Sequence, residues 1–562
     1  MTAATDAVEP EAGFLARQDV TSLGVTLAKL PAGVARHPAE AWRAGARYLN
    51  ALSAGMAGAA ARVVGAQPPA ELRPAARDRR FADPAWDRNP FYFASGQAYL
   101  AWARCMRELT SAGVTGGTAA EQEKTAFAVG LMVDALAPTN FLLSNPAALR
   151  KALKTRGGSV LKGQLNFLRD VVSNGGMPSQ VDRSGFEVGR NMACTPGKVV
   201  FRNDLMELIQ YEPQTKTVFS VPLLLSPPWI NKYYIMDLAP KRSFVEWAVQ
   251  HGHTVFAISY RNPDESMRNV ALDDYLIQGP REAIDVVRDI TGAPQVNLVG
   301  LCLGGSLTVM LLAYLADTCD DRVRSASLLN TLVDFSQPGP LGVFTDATTI
   351  ERLERKMAKR GFLEESDMAN TFNALRNNEL IWNYVASNWL MGEKPPAFDI
   401  LAWNGDSTRM PAAMHSFYLR SCYLKNELAE DKMVLAGVKL HLGDIPAETY
   451  IVAAVEDHIA PWRSSYATTK LLRGPARFVL TSSGHIAGIV NPPGPKARHW
   501  VNDDVSGDAD TWRGGATEHA GSWWEDWAVW IKTRAGKRVR SPSMGNATYP
   551  VLGDAPGTYV HG

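Results

Sequence analysis

The chain has 562 residues, 46% of them hydrophobic, and a formal net charge of +1. That length suggests two or three units at about 100–200 residues per domain, and near-neutrality excludes a bulk electrostatic attraction to nucleic acid or an anionic membrane. Five scattered cysteines (Cys105, Cys194, Cys302, Cys319 and Cys422) with no CxxC argue against a disulfide framework and against a zinc site; a reducing cytoplasm is the natural setting and no metal is expected.

The opening "MTAATDAVEPEAGF" is acidic and has no basic segment followed by an apolar one, so no signal peptide is read there. No run of about 18 apolar residues occurs, so no transmembrane segment is expected. Residues 1–190 read as a mainly helical N-terminal domain, with helical spacing in "VTLAKLPAGVARHPAEAWRAGARYLNALSAGMAGAAARVV", "GQAYLAWARCMREL" and "EQEKTAFAVGLMVDAL". The turn "SNGGMPSQVD" closes it.

Beyond it the texture changes. "GKVVFRNDLMELIQY" reads as paired strands, and "SVPLLLSPP", "HTVFAISYRNP" and "QVNLVG" as short buried strands. The helices "DDYLIQGPREAIDVVRDIT" and "SLTVMLLAYLADT" alternate with them, and "VRSASLLNTLVD" begins a further strand. Such alternation predicts a parallel sheet covered on both faces, an α/β fold. It stops from about 335 to 442, in a helical and then aromatic stretch, and returns at "ETYIVAAVEDH" and "ARFVLTSSGH". A helical insertion at that place is what a cap over an active site looks like. The catalytic domain is therefore read as 191–535, with "GATEHAGSWWEDWAVWIKTRAG" giving one closing helix. Residues 536–562, rich in Pro and Gly, read as a loose tail.

In "NLVGLCLGG" a predicted strand runs into Cys302, boxed by Gly300 and Gly304, and a helix follows. Glycines beside a nucleophile allow the tight strand-to-helix turn that exposes it, and the next backbone N–H, that of Leu303, can help form an oxyanion hole. The plain alternative is a buried cysteine in a glycine-rich turn; the strand–turn–helix setting favours the functional reading. Asp457 and His485 end the two strands predicted beyond the insertion, so all three residues fall at the carboxyl edge of the sheet, in the order nucleophile, acid, histidine. Alone, Asp457 could be a turn or cap residue and His485 a loop histidine; the ordered set points to catalysis. His458 competes as the base and ranks lower, because adjacent side chains at a strand end diverge. His251, His253 and His519 stand in less informative places.

A thiolate attacking a thioester exchanges one thioester for another, so the acyl group stays activated and can pass to an alcohol. Cysteine in a serine's place thus favours acyl transfer over ester hydrolysis. A cysteine-dependent esterase, thioesterase or depolymerase of the same fold is the alternative. A non-enzymatic coat protein would be short and amphipathic, which this chain is not.

The stretches "DRRFADPAWDRNPFY", "NGGMPSQVD", "VVFRNDLMELIQY", "PPWINKYYIMDL", "SYRNPDE", "WNGDSTRMP", "EDHIAPW", "SGHIAGIVNPP" and "GSWWEDWAVWI" together resemble the polyhydroxyalkanoate synthases, and the resemblance covers nearly everything between the first and the last. It implies an α/β-hydrolase fold under a mobile cap, with Cys302, Asp457 and His485 matching the family's nucleophile, aspartate and histidine. It implies an (R)-3-hydroxyacyl-CoA substrate, a polyester product on cytoplasmic granules with their associated proteins, and a homodimer. "SFYLRSCYL", "GATEHAGSWW" and "GHIAGIVNPP" resemble the single-subunit class I type that takes short acyl groups such as 3-hydroxybutyryl, while "RDRRFADPAW" and "QAYLAW" also resemble the medium-chain class. Leu303 N–H is expected to supply one oxyanion donor and the loop after "PLLLSPP", near Ile230, a second. The CoA thioester is the substrate and no cofactor is expected.

Overall fold

The computed structural model describes residues 30–75, 78–111 and 118–562, together with residues 24, 27 and 28. Most of the expected helical opening of the chain before residue 30 lies outside the described residues. The chain divides into two units, Met1–Asp182 with Ala369–Ala397, and Arg183–Met368 with Phe398–Gly562.

In the first unit, α1 (Pro38–Val63) and α2 (Pro90–Ser111) approach closely because α1 turns small residues, Ala44, Ala51, Gly55 and Ala59, inward. Arg62 is buried at its end, donating to Asp87 O at 2.6 Å with its guanidinium over the Phe93 ring. A capping box of Thr118 and Glu121 starts α3 (Ala119–Ala135), whose Val129 and Val133 share a core with Tyr99 and Ala103 of α2. On α4 (Gly158–Ser173) the buried side chains are small or polar, and Asp170 accepts from Trp389 Nε1 at 2.7 Å. Residues Ala369–Ala397, inside the interval read as the cap, group with these helices through such bonds, among them Lys151 to Glu393 at 2.8 Å.

The second unit is built on one sheet of eleven strands: β1 (Gly197–Arg202), β2 (Met206–Tyr211), β3 (Leu223–Ser226), β4 (Val255–Tyr260), β5 (Val296–Leu301), β6 (Val323–Leu329), β7 (Glu448–Ala454), β8 (Ala476–Thr481), β9 (Arg498–Val501), β10 (Thr517–Ala520) and β11 (Gly553–Asp554). Their spatial order is β10-β9-β8-β7-β6-β5-β3-β4-β2-β1-β11. The six strands from β4 through β3, β5, β6, β7 and β8 are mutually parallel, and the flanking pairs are antiparallel. Strand β5 is buried along its whole length, as a sheet covered on both faces requires. The covering helices include α5 (Glu282–Thr291), α6 (Leu303–Asp317), α7 (Trp462–Leu471) and α8 (Trp523–Lys532).

Three local expectations are corrected. The helix predicted over 273–291 is broken: Leu272–Leu276 leads through a wide turn, Ile277–Arg281, into α5, because Pro280 has no N–H to continue the ladder. The closing segment is not helical throughout; β10 precedes α8, with a turn at Gly521. The tail is not loose. Arg538–Arg540 pairs with Thr217–Phe219, and β11 pairs with β1. The physical reason is Glu207, a fully buried carboxylate on β2 that requires partners. The tail supplies them: Thr558 N and Tyr559 N donate to its Oε2 at 2.8 and 2.9 Å, and Thr558 Oγ1 to Oε1 at 2.8 Å.

Candidate active site

Three crossovers end at the same edge of the sheet. Between β5 and α6 the chain reverses at Cys302, whose φ of 52° and ψ of −118° lie outside the ordinary regions for a side-chain-bearing residue. The strain is held by its surroundings. Cys302 N donates to Leu329 O at 2.9 Å, carrying the β5–β6 ladder one residue into the turn. A Cβ on Gly304 would lie 2.0 Å from Ser226 O, and one on Gly300 would lie 2.5 Å from Thr308 Oγ1, so neither position admits a side chain. Ser306 Oγ, one turn into α6, donates to Leu332 O at 2.6 Å.

Asp457 stands three residues beyond the end of β7, and His485 opens a short helix, His485–Ile489, beyond β8. Asp457 Oδ1 accepts from the backbone N–H groups of Ile459 and Ala460, both at 2.8 Å. Its Oδ2 meets His485 Nδ1 at 2.6 Å, with the carboxylate wholly buried. The Cys302 thiol acts electrostatically on the same imidazole. Burial alone would disfavour the charged ring, but the Asp457 carboxylate and the Cys302 thiol outweigh it and hold the imidazole's proton affinity well above its ordinary value. Cys302, Asp457 and His485 are thus brought together. His458 is half-buried in the turn after Asp457, and it is His485 that takes the free carboxylate oxygen.

Leu303 is the first residue of α6, where backbone N–H groups have no intrahelical partner. The loop after β3 passes against it at Ser226 and Pro227. Ile230, further along that loop, is half-buried, and its carbonyl accepts from Thr408 N at 3.3 Å. A helix N-terminus beside a half-buried cysteine, backed by a histidine–carboxylate pair, can hold a thiolate and an oxyanion together. Among the described residues no group of three or more His, Cys, Asp and Glu could hold a metal ion.

Sequence reasoning missed four residues here. Asn330, directly after β6 at a φ of 44°, donates from Nδ2 to His485 O and from N to Val452 O, tying three strand ends together. Its signal was an asparagine at a strand's carboxyl end, a residue that tolerates the left-handed region. Phe335, Tyr418 and Tyr423 form an aromatic group, with ring centroids 5.0 to 6.0 Å apart, and Cys302 acts electrostatically on both phenols. Nothing in the sequence spacing joins them to Cys302.

Comparison with known proteins agrees over nearly the whole chain. The family model described as "Poly-beta-hydroxybutyrate polymerase (PhaC) N-terminus" matches residues 77–248, and that of the alpha/beta hydrolase fold matches residues 229–492. The poly(3-hydroxyalkanoate) polymerase of Methylorubrum extorquens is 41% identical over 560 residues, covering 99% of this chain and 92% of that protein. The poly(3-hydroxyalkanoate) polymerase subunit of Cupriavidus necator is 44% identical over 492 residues, covering 86% of this chain and 83% of that protein. Polymerase 1 of Ectopseudomonas oleovorans is 41% identical over 493 residues, covering 87% of each.

Proposed function

The chain belongs to the poly(3-hydroxyalkanoate) polymerases, and from that premise we propose that it polymerises (R)-3-hydroxyacyl-CoA through a covalent acyl-cysteine at Cys302. It is an acyltransferase with an α/β-hydrolase catalytic domain, taking an acyl-CoA and making a polyester. The observation that carries the acyl-cysteine reading is the run from Asp457 Oδ2 to His485 at 2.6 Å and on to the Cys302 thiol.

His485 takes the thiol proton, held in the right tautomer by Asp457. The thiolate attacks the acyl carbon, with Leu303 N–H and a second donor near Ile230 stabilising the oxyanion. The C–S bond to CoA breaks, and the proton on His485 leaves with the CoA thiol. The 3-hydroxyl of the growing chain or of an incoming monomer then loses its proton to His485 and attacks the acyl-cysteine. An ester bond forms, and Cys302 recovers as the thiol with that proton. Every step uses groups of the chain and the CoA thioester, so the cycle as written requires no cofactor.

The acyl group is taken to be short, as in 3-hydroxybutyryl-CoA; side-by-side turnover of C4 and C8 thioesters decides this. The working form is a homodimer at the surface of the polyester granule, with granule-associated proteins as neighbours in the cytoplasm. Among the described residues no helix is long and apolar enough to cross a membrane.

An Asp457→Asn variant tests the scheme. A thiol is acidic enough to ionise against His485 alone, whereas an alcohol needs the full relay. The variant should therefore still acylate Cys302 and should accumulate the acyl-enzyme, seen by mass spectrometry after mixing with 3-hydroxybutyryl-CoA. A variant as slow to acylate as His485→Ala would place Asp457 in the first step too, and wild-type turnover would remove it from the site.

A further inference from the structure

The loop after β3, which carries Ile230, is fastened by the insertion. Strands β3 and β5 pair with Ser226 beside Gly300, so this loop leaves the sheet next to the elbow at Cys302. It stays close there: the carbonyl oxygens of Ser226 and Pro227 lie 2.0 and 2.6 Å from where a Cβ on Gly304 would stand. Two prolines, Pro227 and Pro228, stiffen the next stretch. The Trp229 side chain then turns into the core, 3% exposed, with its ring centroid 4.9 Å from that of Tyr275 and 5.9 Å from that of Tyr260. A buried ring fixes where the chain runs; it does not by itself fix the rotation of the peptide that follows.

That rotation is set from the other side. Residues 403–408 run antiparallel to the loop, with Asn231 bridged to Ser407. Trp403 Nε1 donates to Lys232 O at 2.8 Å, and Thr408 N donates to Ile230 O at 3.3 Å. Thr408 is itself only 4% exposed, and its hydroxyl donates to Trp229 O at 2.5 Å. The Trp229 carbonyl and the Ile230 N–H share one trans peptide plane, so they point in opposite directions. Holding the oxygen therefore aims the N–H. Among the described residues no hydrogen bond takes up the Ile230 N–H, and none takes up that of Leu303.

We infer that Thr408 is a positioning residue for the reaction: by holding the Trp229 carbonyl it aims the Ile230 N–H at the acyl oxygen on Cys302, where Leu303 N–H is the other donor. The inference rests on the acyl-cysteine reading. The threonine hydroxyl touches no substrate; it acts through one peptide of the loop. A preorganised donor aimed at a developing oxyanion accelerates the step in which that charge forms, without tightening ground-state binding. The insertion thus completes a site whose nucleophile, acid and base all stand on the sheet.

The test is the rate of Cys302 acylation in wild type, Thr408→Val and Thr408→Ser, with 3-hydroxybutyryl-CoA and with its dithioester analogue, in which sulfur replaces the carbonyl oxygen. Valine keeps the shape of threonine and removes the hydroxyl; serine keeps the hydroxyl. Thr408→Val should lower the saturated rate roughly 10- to 100-fold, somewhat less than the loss of an oxyanion donor outright, and leave the half-saturating concentration unchanged. Thr408→Ser should acylate near the wild-type rate. Sulfur accepts hydrogen bonds weakly, so wild type should prefer the oxygen substrate and Thr408→Val should narrow that preference. The preference is a ratio within one sample, so a variant that is only partly folded still reports it. Acylation of Thr408→Val at the wild-type rate, an equal loss on both substrates, or a loss that serine does not restore would overturn the inference. A wild-type enzyme that never carries an acyl group on Cys302 would instead overturn the reading beneath it.

Discussion

The carboxyl edge of the sheet and the insertion that follows β6 in the chain are held by different physics. At the edge, backbone groups hold two of the three residues, Cys302 by the β5–β6 ladder and Asp457 by two N–H groups of its own turn, while the Asn330 side chain holds His485 at its carbonyl. In the insertion, the phenols are held by side chains: the Asn426 clasp, which takes Phe335 N on Oδ1 and donates from Nδ2 to Asp334 Oδ1, and the Glu354 carboxylate, which takes Arg420 Nε and Nη2 at 2.7 and 2.6 Å. Backbone pairing in a buried sheet opens only with global unfolding, whereas side-chain clasps release locally. The residues of the proposed chemistry are set on the sheet, and the insertion is fastened by bonds of the kind that release locally.

The comparison breaks most sharply at the nucleophile. Cys302→Ala should keep its melting temperature and lose polymer formation by on the order of 10⁴-fold or more, because no acyl-enzyme can form, and Cys302→Ser should retain little activity. Residual polymerisation well above background in Cys302→Ala would show that the edge does not carry the chemistry. Next comes the base: His485→Ala should slow acylation roughly 10³-fold, while His458→Ala should cost less than about tenfold. Slow acylation in His458→Ala with fast acylation in His485→Ala would reverse the assignment.

Smaller effects separate the two kinds of support. Gly304→Ala forces a methyl group into the Ser226 carbonyl, so it should destabilise the protein by about 1–3 kcal/mol in chemical denaturation and reduce activity with it. Asn426→Ala removes two hydrogen bonds from the clasp. It should cost about 1–3 kcal/mol and reduce acylation, with alkylation of Cys302 by iodoacetamide becoming faster as the insertion loosens. Slower alkylation would mean that the clasp does not hold the insertion over the sulfur.

The gentlest probe is pH. The folded protein binds the His485 proton more tightly than the ordinary value of 6.5, so the fold gains stability from the imidazolium. That gain is complete below the unfolded value and is lost as pH rises through the raised one. Melting temperature should therefore fall on the alkaline side, and His485→Gln should flatten that part of the curve. An equal alkaline fall in the variant would assign it to other groups.

The edge was legible in the sequence because its signals are local and periodic. Short apolar runs, each followed by a turn and a helix, locate Cys302, Asp457 and His485 at the ends of β5, β7 and β8, and the antiparallel pair β1–β2 showed as paired apolar runs. What escaped was set by tertiary pairing. Glu207 draws the Pro- and Gly-rich tail onto β2, although nothing near 558 announces a partner. Pro280 breaks a helix whose apolar spacing is otherwise continuous. Tyr418 and Tyr423 are five residues apart, a spacing that a regular α-helix would not bring together and a π-turn does.

Whether the polymer grows through Cys302 is decided at the peptide that carries it. The direct measurement is mass spectrometry of the peptide containing Cys302 after rapid quenching of wild-type enzyme with 3-hydroxybutyryl-CoA, alongside CoA release from the same samples. A 3-hydroxybutyryl group is expected on Cys302, appearing together with the first equivalent of free CoA and absent from Cys302→Ala. Steady polymer formation and CoA release with Cys302 unmodified at every time point would contradict it.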